Sequence, residues 1–197
     1  MGIYNAEVSA GSLMLPESRK IAAFLLTGPD EAAWSRALGP ENILQKKSPA
    51  TARRQARLLR NRLEGMDAKT LRLVAEGEKE VAVQILFACA IRHSRLLGDF
   101  LRDVYRARLR GLEKALDPKD WESFLDECSH RDPAVADWSD TTKAKIFQVV
   151  VRILAEAGYL DSTRRMGLTP ALLHPAVERH LKAIGEGEIL ARMEIPR

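Results

Sequence analysis

The chain has 197 residues, of which 46% are hydrophobic, so it is long and apolar enough for one folded domain or two small ones. Its two cysteines form no CxxC pair and its start shows no secretory pattern, which predicts a reducing, cytoplasmic location. The longest apolar run, residues 81–91, is too short to cross a bilayer and predicts a buried core helix and no membrane association.

The 31 basic and 27 acidic residues are unevenly distributed along the chain. Residues 1–66 hold ten basic and six acidic residues, residues 67–116 ten and seven, and residues 117–197 eleven and fourteen. The positive field therefore belongs to the first two thirds, whereas the acidic final third could face a protein partner or be solvated.

These segments suggest an organisation for the chain. We expect an N-terminal basic unit of helix-turn-helix type (1–66), a central helical bundle (67–116) and a C-terminal helical unit, winged-helix in character (117–197). All three are expected to form one compact, all-α body, a multi-helix bundle.

The first third reads as an arm followed by short helices. Residues 3–15 lack a helical period and are expected to be extended and to pack across the first helices. A helix from Pro16 to about Thr27, a short helix capped by Asp30 and one more turn over 41–45 are expected to follow. Helices that lead into a basic one are typical of a helix-turn-helix unit, although the connection here is longer than in its commonest form.

The stretch Lys46–Leu63 carries seven basic residues and no acidic one. Ser48 is a good N-cap and Pro49 suits the first helical position, so a helix is predicted to begin there. At 100° per residue, one side of this helix is an apolar stripe fit for a core. The stripe consists of Ala52, Ala56, Leu59 and Leu63.

The other side of this helix is a candidate nucleic-acid surface. Arg53, Arg57 and Arg60 cluster beside the stripe, Arg54 and Asn61 continue the face, and Arg62 falls away from it. A solvated surface helix is the alternative, but acidic residues would normally be interspersed there. The predicted contacts to phosphates, with Asn61 as the one side chain able to read a base edge, are Lys46, Lys47, Arg53, Arg54, Arg57, Arg60 and Asn61.

The middle third predicts helices over about 68–75, 78–92 and 96–112. In the last of these, a second basic row has i, i+4, i+8 spacing and consists of Arg102, Arg106 and Arg110. Asp99 and Asp103 partly neutralise this row, so a surface of salt bridges is the favoured interpretation.

The final third predicts helices over 117–129, 139–157 and 175–184, a small hairpin near residues 159–169 and a loosely held tail from residue 185. A long helix followed by a basic hairpin is typical of winged helix-turn-helix domains. Its phosphate contacts would be Lys143, Lys145, Arg164 and Arg165. A purely structural winged domain remains the alternative.

No catalytic motif is apparent, and the chain is expected to be neither an enzyme nor a receptor for a small-molecule substrate. The four histidines are scattered, and His174 and His180 do not share a helical face. Surface or capping roles are expected for them, and no metal or other cofactor is predicted.

Several short blocks together resemble a known family. They are Tyr4-x-Ala6, Glu17-Ser18-Arg19-x-Ile21-Ala22, Trp34, Asn42 to Arg54, Arg62-Leu63, Leu97-x-Asp99-Phe100 and Ser139 to Gly158. The chain resembles the BrxA family of the BREX bacteriophage-exclusion systems, and the block Leu-Gln-Lys-Lys-Ser-Pro-Ala-Thr-Ala-Arg is the most specific part. The resemblance implies an all-helical, non-catalytic protein that binds double-stranded DNA beside a methyltransferase, an ATPase and a phosphatase-like protein.

Two other functions stay open at the level of sequence. An assembly protein could dock a partner on its acidic last third, with DNA contact incidental. A basic helical bundle could equally bind RNA, although the eleven aromatic residues fall mostly at core-like positions, which leaves few base-stacking platforms.

Overall fold

The computed structural model describes residues 2–194, and the fold is all-α, as predicted. The helices are α1 Leu15–Leu25, α2 Glu31–Leu38, α3 Pro49–Leu63, α4 Ala68–Ala75, α5 Lys79–His93, α6 Arg95–Phe100, α7 Arg106–Arg110, α8 Pro118–Arg131, α9 Asp140–Glu156, α10 Pro175–Ala183 and α11 Gly187–Met193. Two 3-10 turns, Glu7–Ala10 and Pro133–Val135, and a π-helical segment, Leu101–Tyr105, complete the elements.

Several helices begin at a residue whose side chain caps the first turn. The Asp30 carboxylate accepts from the Ala33 N–H at 2.7 Å, and the Ser48 hydroxyl accepts from the Thr51 N–H at 3.4 Å. Asp117 caps α8 and Ser139 caps α9 in the same manner. Each cap satisfies an N–H that the first helical turn leaves without a partner, which is why these starts could be predicted.

Helix α5 is the centre of the core. Between Val81 and Ile91 every residue except Val83 is buried, and the helix packs against α1, α3, α4, α6, α10 and α11. In the described residues no single helix is long and apolar enough to cross a membrane. Helix α5 and the segment Arg95–Arg110 together have the length and composition of a membrane span, but the chain bends by 108° between them.

The N-terminal arm packs against α3, one of the helices of the first third as expected, and also against α9. The Glu156 carboxylate of α9 accepts from the Ser12 hydroxyl and the Leu13 N–H, both at 2.8 Å. Arg62 of α3 donates to the carbonyls of Ser12 and Gly11 at 2.6 and 3.0 Å. Two charged side chains thus hold the arm in place.

Three expectations about local structure were wrong. Residues 41–45 form an irregular turn in place of a helical one, with Asn42 and Gln45 at φ 41° and 54°. The helix expected over 96–112 contains the π-helical segment and ends at Arg110. The tail expected to be loose contains α11, which is held because the Tyr159 hydroxyl donates to the Met193 carbonyl at 2.6 Å.

The region 159–169 forms a small closed turn. The Asp161 N–H donates to the Gly167 carbonyl at 2.9 Å, and the Thr169 N–H donates to the Tyr159 carbonyl at 3.0 Å. Its pairings are isolated antiparallel bridges, one within the turn and one to Ala115. The part of the chain that the structure describes contains no β-strand longer than such a bridge.

Candidate nucleic-acid interface

An open groove of about 880 Å³ lies between α2 and α3. Helix α3 provides one wall because its apolar stripe, buried as predicted, fixes the rotation of the helix and turns the cationic face outward. Helix α2 provides the other wall through Glu31, Trp34, Ser35 and Leu38, and the connector 39–48 closes one end.

The groove brings together six of the seven residues predicted from α3 and its approach. They are Lys46, Lys47, Arg53, Arg57, Arg60 and Asn61. Arg54, the seventh, is exposed on the adjoining surface of α3, outside the groove. The predicted residues therefore share one side of the molecule.

Four cations of this surface have no acidic partner. Within residues 2–194 no carboxylate oxygen lies within 4.0 Å of the side-chain nitrogens of Lys47, Arg53, Arg54 or Arg57. Arg53, Arg54 and Arg57 start from α3 within less than two helical turns, and Lys47 stands in the connector just before the helix. They form a concentrated, uncompensated positive patch, hereafter the free cations.

Lys46 has a structural partner. Its ammonium group lies 2.5 Å from a carboxylate oxygen of Glu17 on α1, and both side chains are largely covered. The Asn42 side chain also bonds both the N–H and the carbonyl of Lys46 at 3.1 Å. Lys46 thereby fastens the connector to α1.

Arg60 is paired on both sides of the groove. Its guanidinium lies 2.6 Å from Glu31 on α2 and 3.3 Å from Glu64 at the end of α3. It also covers the ring of Trp34, 4.9 Å from the centroid, and Trp34 in turn stacks on Phe24. The hydrogen bond from Arg60 lowers the pKa of Glu31, and the same bond raises the pKa of Arg60.

Arg62 is buried, with 3% of its surface exposed, and takes no part in the surface. Burial lowers the pKa of its guanidinium to about 10, which Glu156 nearby opposes. The expectation that Arg62 falls away from the cationic face is confirmed.

The secondary candidates lie at two ends of α9. Lys143 and Lys145 stand in its first two turns, whereas Arg164 and Arg165 follow its C-terminus, in the small closed turn of residues 159–169. The ammonium group of Lys145 donates to Gln148 at 2.9 Å, and Arg165 pairs with Asp161 at 3.2 Å. The structure does not join these four residues into one site.

Two members of the second basic row, Arg102 and Arg106, are engaged in ion pairs and backbone contacts, as favoured from the sequence, whereas Arg110 is exposed. Arg102 pairs with Asp99 and Asp103 at 3.1 and 2.6 Å. Arg106 donates to the carbonyls of Ala191 and Glu194. Arg106 therefore belongs to the packing of α11 against the central helices.

His174 and His180 make contacts that stabilise the fold. The Nδ1 atom of His174 accepts from the Ala176 N–H at 3.1 Å and caps α10. His180 is buried, contrary to expectation, with its Nε2 atom 2.6 Å from the Thr70 hydroxyl, and burial lowers its pKa. Among residues 2–194 no group of three or more metal-ligating side chains is present.

The α2 wall was missed at the level of sequence. Glu31, Trp34, Ser35 and Leu38 recur at i, i+3, i+4 and i+7 and therefore share one face of a helix. The sequence alone shows this spacing and therefore the shared face. Which helix that face would meet depends on the path of the connector, which local patterns do not specify.

Comparisons with known proteins agree on one family. A model of the BrxA family matches residues 2–185. The chain is 41% identical over 192 residues to the BREX protein BrxA of Paramagnetospirillum magneticum, covering 98% of this chain and 96% of the relative. It is 36% identical to the BREX protein BrxA of Escherichia coli O9:H4, covering 95% and 88%.

A solved structure is similar throughout. The crystal structure of an uncharacterized protein from Magnetospirillum magneticum matches with a TM-score of 0.90 and 38% sequence identity, and the match covers 98% of this chain and 99% of that one. The family resemblance stated from the sequence is thus confirmed. The chain belongs to the BrxA family of the BREX bacteriophage-exclusion systems.

Proposed function

We propose that this protein is a non-catalytic, double-stranded-DNA-binding component of its BREX system. The observation that carries the proposal is the set of free cations, Lys47, Arg53, Arg54 and Arg57, on and beside one exposed helix face. Guanidinium groups without acidic partners can bind phosphate oxygens without first breaking an ion pair.

The mode of binding follows from the residue types. Four cations and one amide, Asn61, supply mostly phosphate contacts and little direct base readout. We therefore expect low sequence preference and strong salt dependence. With about −0.9 per phosphate, four contacts give a slope of about −4 for log K against log salt concentration.

The remaining predicted contacts have lesser parts in this proposal. Lys46 and Arg60 already have carboxylate partners. They would contribute to the positive potential of the groove but would not be free to donate hydrogen bonds to a phosphate. Lys143, Lys145, Arg164 and Arg165 lie outside the lining of the groove and would be secondary contacts. The proposal includes a cytoplasmic location and work beside the methyltransferase, ATPase and phosphatase-like components that the family resemblance implies.

The test is an electrophoretic mobility shift with a mixed-sequence duplex across a salt series. The double variant Arg53→Glu/Arg57→Glu is expected to weaken binding by about 10²-fold at low salt, because it removes two phosphate contacts and adds two repulsive charges. The matched control, Arg152→Glu/Arg179→Glu, makes the same change in net charge at exposed positions of α9 and α10 and should leave most of the affinity.

Other outcomes would select other functions. Duplex affinity that is indifferent to the Arg53 and Arg57 reversal would overturn the proposal. Preference for structured RNA over duplex at matched salt would favour RNA binding. Absence of any nucleic-acid affinity, combined with retention of the other BREX proteins on the chain, would favour an assembly role.

A further inference from the structure

Arg60 is placed among the free cations but is not one of them. It lines the groove with Arg53 and Arg57, yet its guanidinium is held by Glu31 from the opposite wall and by Glu64 from its own helix. The groove therefore already contains a carboxylate at one of its cationic positions, where a phosphate would otherwise be expected.

The pair has the features of an exchangeable contact. The Glu31 and Glu64 side chains are 75% and 58% exposed, and ion pairs between exposed groups are weak because water competes for both partners. Neither carboxylate is held by a second hydrogen bond from another residue among those the structure describes. A phosphate dianion or diester could replace Glu31 without disturbing the core.

Arg60 itself is held more firmly than its partners. Its side chain is only 26% exposed, and its guanidinium lies over the ring of Trp34, which is buried and stacked on Phe24 at 5.4 Å. A guanidinium fixed by an aromatic ring keeps its position whichever anion it binds. The aromatic pair thus keeps a cationic site in place while the anion is exchanged.

We propose that Glu31 is a built-in competitor of the DNA backbone at Arg60 and thereby sets the affinity of the α2–α3 groove. This inference rests on the proposed function, because the ligand that Glu31 excludes is a phosphate of the duplex. In the free protein Glu31 occupies the Arg60 site. Binding at that site requires the phosphate to displace the carboxylate, so the net gain from Arg60 is small and DNA is released more readily.

The test is a double-mutant cycle of Glu31→Gln and Arg60→Gln, measured as duplex affinity across a salt series. Glu31→Gln is expected to raise affinity about threefold to tenfold at 50 mM salt and to steepen the salt slope by about 0.9, since one more phosphate is engaged. Arg60→Gln alone should change affinity less than about twofold. In the Arg60→Gln background the gain from Glu31→Gln should fall to the size of a general charge effect.

Glu41→Gln is the matched control, because Glu41 is an exposed carboxylate of the nearby connector that contacts no described cation. A gain in Glu31→Gln that is no larger than the gain in Glu41→Gln, or that is undiminished when Arg60 is absent, would show a general charge effect and overturn the inference. An unchanged duplex affinity in Glu31→Gln would also overturn the inference. These results leave the proposed function intact if Arg53→Glu/Arg57→Glu still weakens binding as expected, whereas a wild-type protein without duplex affinity overturns both.

Discussion

At the scale of single residues, seven basic side chains that look alike in the sequence have three different roles. Lys47, Arg53, Arg54 and Arg57 are free, Lys46 and Arg60 are paired with carboxylates, and Arg62 is buried. The difference arises from position on the helix and from what the neighbouring helices present. A basic run therefore overstates the number of groups available to a ligand.

Replacement by alanine should lower the stability of the protein at Arg62 and leave it almost unchanged at Arg54. Arg62→Ala is expected to lower the free energy of unfolding by about 2–4 kcal/mol, because two carbonyls of the arm lose their donor and a cavity remains. Arg54→Ala should change it by less than about 0.5 kcal/mol, since the side chain is exposed. Urea unfolding measures both.

For duplex affinity the order of the two variants should be reversed, with the larger loss in Arg54→Ala. Arg54→Ala should weaken binding and reduce the salt slope by about one, whereas folded Arg62→Ala should bind as wild type. Equal loss of DNA affinity in both would contradict the assignment of Arg62 to the arm.

At the scale of elements, α3 could be predicted almost completely. Its start is encoded by Ser48 and Pro49, and its orientation is encoded by four apolar residues at helical spacing, all of them buried. The connector before α3 could not be predicted, because its turn places the non-glycine residues Asn42 and Gln45 at positive φ and because Lys46 is held by Glu17 on the distant helix α1.

The cap of α3 offers a prediction at this scale. Ser48→Ala is expected to lower the free energy of unfolding by about 1 kcal/mol, because the Thr51 N–H loses its acceptor, and Ser48→Asp should preserve it. Urea denaturation provides the measurement. Ser129→Ala, which removes a hydroxyl from the last turn of α8, serves as control and should change the stability by less than about 0.5 kcal/mol. A Ser48→Ala effect no larger than the control would exclude a capping role.

At the scale of the whole molecule, the three units suggested by the charge distribution share one core. Helix α5 of the middle segment contacts helices of both others, and the N-terminal arm lies on α9. Asp99, buried at 1% exposure, accepts from the Tyr4 hydroxyl at 2.8 Å and from Arg192 at 3.4 Å. A single carboxylate thus joins both ends of the described chain to its centre.

One cooperative unfolding transition is expected from this shared core. In single-tryptophan variants, Trp34 reports on residues 1–66, and Trp121 reports on residues 117–197. Their urea midpoints should coincide with each other and with the loss of helix by circular dichroism. Separate midpoints, or a 117–197 fragment that is folded by itself, would show that the C-terminal unit does not depend on the core.

The sequence by itself determined the helical class, the helix starts, the buried stripe of α3 and the choice of the cationic face, because caps and 3.6-residue periodicity act over a few neighbouring residues. Only the tertiary structure decided which cations are free, because Glu31, Glu17 and the carbonyls of the arm reach α3 and its approach from distant segments. Ion pairs and burial depend on the packing of whole helices, and local patterns contain no information about those partners. The α2–α3 groove, with Arg60 held between Glu31 and Trp34, is a product of that packing.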